Sequence, residues 1–90
     1  MKPIAKVHRL RDGTEISIQA SCTHYCEPMD DLGPYITVEV DYVEDIRCNV
    51  MKVPESWDKY YKGYGTVYGY IPIELVQEFC DAHGGILIHV

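Results

Sequence analysis

The chain has 90 residues, of which 47% are hydrophobic, and its 14 Asp and Glu against 8 Lys and Arg give a formal net charge of -6. That length holds one small globular domain, residues 1–90, with a single core. The acidic balance speaks against direct nucleic-acid binding through phosphates, which needs a basic face, and against an anionic membrane surface.

The first residues, MKPIAKVHRLRDG, contain no apolar run of signal-peptide type. No segment reaches the ~20 apolar residues needed to cross a bilayer. A cytoplasmic location is expected, and with it reduced thiols at Cys22, Cys26, Cys48 and Cys80.

In chain order, IAKVHRLR and TEISIQASC flank Asp12-Gly13 and predict a β-hairpin with a two-residue type I′ turn. Ile16, Ile18, Ala20 and Cys22 alternate with polar residues, the pattern of a half-buried strand. EPMDDLGP is a loop. YITVEVDYV alternates again, with Ile36, Val38, Val40 and Tyr42 on one face and Tyr35, Thr37, Glu39 and Asp41 on the other. IRCNVMKV is expected to be a further strand sharing Ile46, Cys48 and Val50. PESWDKYYKGYG reads as an aromatic loop and TVYGYIPI as a strand weakened by Gly69 and Pro72.

One good helix is expected over about residues 72–83. Pro72 suits its first position, and Leu75, Val76, Phe79, Ala82 and His83 line one side; Gly84 suits the C-cap. ILIHV is apolar enough to be a terminal strand in the sheet. The order is β-β-β-β-β-α-β. It predicts an α+β two-layer sandwich, with a mainly antiparallel sheet of five to six strands and one amphipathic helix packed on one face. The position and direction of the last strand stay open.

The stretch SCTHYCEPMDD is the one that resembles chemistry. In a strand, Cys22 and His24 lie ~6.6 Å apart on one face, and Cys26 lies ~13 Å from Cys22. Zinc could be held by Cys22 and His24 with Cys80 and His83, which are three apart on the helix. The spacing matches none of the paired C-x₂₋₄-C patterns, however, and free cysteines commonly fill cores. No metal or cofactor is favoured. Acidic neighbours also disfavour a thiolate nucleophile. No paired acid and base, phosphate cradle or nucleophile motif appears, so the chain is not read as an enzyme.

Two other features point to binding. No Lys or Arg lies between Thr23 and Ile46, while Glu27, Asp30, Asp31, Glu39, Asp41, Glu44 and Asp45 do. A field of one sign costs self-repulsion and steers basic partners. The segment from Ser56 to Tyr70 holds the one tryptophan and five of the eight tyrosines. Such residues dominate binding hot spots. The expected partner-binding residues are therefore Glu27, Asp30, Asp31, Tyr35, Glu39, Asp41, Glu44, Asp45, Trp57, Tyr60, Tyr61 and Tyr64.

The expectation is a small acidic module that binds a protein partner with a basic surface. In length, acidity and lack of catalytic motifs the chain resembles, as a class, phage or mobile-element inhibitors of host nucleic-acid machinery, anti-CRISPR proteins among them. No motif ties it to one family. Three readings stand beside this one: the zinc-stabilised module, a small ligand-binding domain or enzyme with a cleft under the Tyr60–Tyr70 loop, and a homodimer through an uncovered edge strand.

Overall fold

The computed structural model describes residues 4–88. β1 (Ile4–Leu10) and β2 (Glu15–Ala20) form the expected hairpin. The connection is longer than a two-residue turn. Gly13 donates to the Leu10 carbonyl at 3.0 Å, and Leu10 donates to the Thr14 carbonyl at 2.7 Å. Only Gly13 of the turn takes a positive φ, 94°, whereas a type I′ turn needs two such residues. Asp12 instead accepts the Thr14 amide through its side chain at 2.9 Å, an Asx turn that sets the loop.

β3 (Thr37–Glu44) pairs antiparallel with β2, and β4 (Tyr68–Pro72) pairs antiparallel with β3. Helix α1 (Ile73–Ala82) then leads to β5 (Ile86–Ile88), which pairs antiparallel with β1. The strand order is β4-β3-β2-β1-β5. β4 and β5 thus occupy opposite edges of one antiparallel sheet, joined through the helix. Residues 89 and 90 of the predicted last strand lie outside the described residues.

The class is α+β, with one helix and an antiparallel sheet, but the element order is shorter than expected. Four strands precede the helix, because IRCNVMKV forms no strand. Asp45 captures it locally. Its carboxylate accepts the Arg47 amide at 2.8 Å and the Asn49 amide at 3.0 Å, and its own amide donates to the Asn49 carbonyl. A side chain that satisfies the backbone this way competes with a ladder. Ile46, Cys48 and Val50 are consequently exposed, and Cys48 sits at φ 64°.

Alternation along β3 also fails midway. Ile18 faces Val40, Ser17 faces Tyr42 and Ile16 faces Val43, so Asp41 is the extra residue of a bulge. Val38, Val40 and Val43 face the core, while Tyr42 leaves the face it was expected to share with Val40. Ile36 is exposed and Tyr35 buried, the reverse of the expected parity.

The helix matches its expected span to within one residue, with Pro72 as N-cap instead of first helical residue. Its C-terminus is a Schellman motif. Gly84, at φ 91°, donates to Asp81, and Gly85 donates to Cys80. Val76, Phe79 and Cys80 enter the core, whereas Ala82 stays exposed. One contiguous core gathers Leu10, Ile16, Ile18, Val38, Val40, Val43 and Ile71 beneath those helix residues, with Trp57 of a short 3₁₀ helix, Glu55–Tyr60.

Candidate functional site

β2 stops at Ala20, and residues 21–36 form a long connection back to β3. The alternation stops there too, so Cys22 is exposed and Cys26 is the buried thiol. The connection is pinned at several points. The Cys26 thiol donates to the Ser21 carbonyl, and Glu27 bridges Thr37. Asp30 accepts the amides of Leu32 and Gly33, both at 2.9 Å. Those bonds, Gly33 first, hold its carboxyl below the ordinary range. The Tyr35 hydroxyl donates to the Asp30 carbonyl at 2.7 Å, and Asp31 accepts the Cys22 amide at 2.9 Å. The loop so fixed turns Met29, Leu32 and Ile36 outward, with 51%, 66% and 68% exposure. Ile73, also exposed, donates its amide to the Ile36 carbonyl.

The seven expected carboxylates do not form one face. Glu27, Asp30 and Asp31 belong to this projection. Glu44 and Asp45 stand at the other end of β3, eight residues long, a span of roughly 25 Å. Asp45 is engaged in its own turn, where the Asn49 amide, first among its donors, lowers its pKa. Tyr35 is buried as an anchor.

Glu39 is only 7% exposed. Burial first, and then a hydrogen bond with the Asp41 carboxyl, pushes its pKa up to about 7. The Tyr25 amide, which donates to Glu39 Oε1 at 2.9 Å, pulls the other way. The Tyr70 amide in turn donates to the Tyr25 carbonyl at 2.9 Å. Here β4 carries a bulge opposite Glu39, with Tyr70 at φ 56°. Gly69 has no space for a side chain: an added Cβ would lie 2.6 Å from Tyr25 Cβ and 2.9 Å from Lys62 Cδ.

Above this floor the Tyr25 and Tyr70 rings lie 5.8 Å apart. The Lys62 ammonium stands over both, 4.5 Å and 5.2 Å from their centroids. Among the described residues Lys62 makes no ion pair. An exposed cation–π contact contributes ~0.5–1 kcal/mol, while fixing a lysine costs ~1.5–2 kcal/mol of rotamer freedom. Two such contacts roughly cancel that cost, so Lys62 is held weakly. Tyr64 reaches the same cluster. Its hydroxyl is pushed up to about 12 first by a hydrogen bond with Tyr25, then by burial and the nearby Glu39 and Asp41.

Trp57 is not a surface contact residue. It is 1% exposed, because the 3₁₀ helix turns it inward between Tyr68, 5.9 Å away, and Phe79, 5.4 Å away. Tyr60 packs half-buried against the core, whereas Tyr61 and Tyr64 remain exposed.

The proposed zinc set does not assemble. His24 Nδ1 bonds Ser21 Oγ, His83 pairs with Asp12 at 2.5 Å, and Cys80 is in the core. Among the described residues no three His, Cys, Asp or Glu side chains stand where they could hold one ion. Three thiols are also kept protonated: Cys22 first by its bond with Asp31, and Cys26 and Cys80 first by burial, Cys80 to about 11. The cavity beneath the Tyr60–Tyr70 segment, lined by Val43, Met51, Tyr61 and Tyr68 among others, is about 230 Å³, below the usual ligand range of roughly 300–1,000 Å³. A shallower groove of about 480 Å³ runs between Trp57 and α1. No described helix is long and apolar enough to cross a membrane.

Sequence reasoning missed Met29, Leu32, Ile36, Tyr25, Lys62 and Tyr70. Met29 and Leu32 were legible as large apolar residues in a loop rich in turn formers, Ile36 was read into the following strand, and the others meet only through strand pairing. No family model, curated protein or solved structure matches the chain.

Proposed function

We propose that the chain is a protein-binding module that docks its 27–36 projection onto a basic surface of a partner. The observation that carries this reading is a pinned loop holding Met29, Leu32 and Ile36 in solvent. Burying each such side chain stabilises by ~1.5–3 kcal/mol, yet the fold spends its bonds on keeping them outside. A preordered loop also lowers the entropy lost on association. Glu27 and Asp31 are exposed in the same segment, so apolar and acidic side chains are offered together. The charge selects a basic partner and speeds encounter. A cleft that ordinarily takes nucleic-acid phosphates is such a surface, so the specific form proposed is an inhibitor of nucleic-acid machinery, anti-CRISPR-like in class, acting in the cytoplasm.

The test is affinity purification of the tagged chain from the cells that make it, followed by binding measurements on the protein recovered. Leu32→Ser with Ile36→Ser should speed dissociation. Glu27→Lys with Asp31→Lys should slow association and reverse its dependence on salt. The serine variant should melt with the parent, and the lysine variant, which gives up the Asp31 acceptor of the Cys22 amide and the Glu27 acceptor of the Thr37 hydroxyl, somewhat below it. A partner bound equally well by both would exclude the projection as the docking surface.

A further inference from the structure

We propose that Tyr25 and Tyr70 form a binding site for an ammonium group, that of a lysine side chain on the partner, and that Lys62 is its built-in competitor. This rests on the reading of the chain as a binder of a basic protein. The geometry is that of a site made for a cation. Two ring faces, inclined at 50° with centroids 5.8 Å apart, both look onto one ammonium. Ring faces carry the negative end of the aromatic quadrupole, so a cation lowers its energy there without a carboxylate partner.

The walls are fixed by the fold. Glu39 holds the Tyr25 backbone, and Tyr25 holds that of Tyr70. Tyr25 and Tyr70 are both only partly buried, which leaves the mouth open. The present occupant arrives on a short glycine-punctuated hairpin. Lys62 donates its amide to Val67, and Gly63 and Gly65 take φ 88° and 52°. Its stem lies over Gly69, where a side chain would exclude it. Nothing but the two rings holds the ammonium itself among the described residues. A partner's lysine meets the same two rings once Lys62 swings out.

The experiment is an NMR titration of the whole chain carrying isotope-labelled tyrosine rings, first with tetramethylammonium chloride against sodium chloride at equal ionic strength. The Tyr25 and Tyr70 ring signals should shift with the organic cation. In Lys62→Ala the dissociation constant should fall about two- to fivefold, the equivalent of one exposed cation–π contact. The response should vanish in Tyr25→Leu. Lys62→Gln keeps the stem and gives the same comparison should the alanine variant not fold. A second arm uses an acetyl-Gly-Lys-Gly-amide peptide, which should shift the same rings, against its Nζ-acetylated form, which should not. Ring signals that ignore tetramethylammonium in both parent and Lys62 variants overturn the site. So does a response that survives Tyr25→Leu. Binding of tetramethylammonium without the lysine peptide overturns the lysine assignment. These readouts need no partner, so their failure is separate from failure of the 27–36 projection, which the Leu32 and Ile36 variants report.

Discussion

Glu39 Oε1 accepts the Tyr25 backbone amide at 2.9 Å, so a carboxyl in the middle of the sheet holds down a loop 14 residues away. The same carboxyl shares a hydrogen bond with Asp41, the extra residue of the β3 bulge. Loop position, bulge and protonation are thereby tied together.

The tie predicts a pH dependence. Glu39 is raised from an ordinary 4.5 to about 7. Between those values the folded state keeps a proton that the unfolded state has released. Stability is full below about pH 4.5, falls as pH rises toward 7, and is flat above, by on the order of 1–3 kcal/mol. Asp30 and Asp45 are lowered from 3.8, so their contribution is present above that value and lost below it, a separate window. Melting curves from pH 4.5 to 8 should show the fall in the parent. Glu39→Gln, which keeps an acceptor for Tyr25, should flatten it and be the more stable protein at pH 8.

Trp57→Ala should cost about 3–5 kcal/mol, the range for large aromatic truncation in a core, and lower the melting temperature accordingly. Tyr61→Ala, at an exposed ring, should change stability far less. Equal effects from the two would contradict the burial of Trp57 beneath α1.

Gly84→Ala should be destabilising by more than about 1 kcal/mol, through its left-handed backbone. Its Cβ would also meet Arg11 Cβ at 2.5 Å. Chemical denaturation should show a lower midpoint with an unchanged slope.

Thiol labelling under native conditions should modify Cys22 and Cys48 quickly and leave Cys26 and Cys80 until the chain is unfolded. Asp31→Asn should accelerate Cys22, because Asp31 is the first cause of its raised pKa. Mass spectrometry of the labelled peptides separates the four sites.

The legible parts of the fold were those set by neighbours in sequence. Pro72 and Gly84 bracket the helix, and β2 carries its apolar residues at every second position to Ala20. Parity was lost wherever a side chain or bulge intervened. Asp45 folded residues 46–49 into a turn, and Asp41 reversed the face of Tyr42. The acidic run was visible, but not that β3 would separate its ends or that Glu39 would be buried. Tyr25, Lys62 and Tyr70 come from a loop, a hairpin and an edge strand. Only the pairing of β4 on β3 brings them together, and no local pattern encodes that.

The most direct measurement places a photoactivatable side chain at Leu32, at Ile36, and, as a control on the exposed helix face, at Glu78. If the 27–36 projection is the docking surface, the first two cross-link the same basic protein and Glu78 does not. Cross-linking of that protein from Glu78 alone, with none from Leu32 or Ile36, would contradict it.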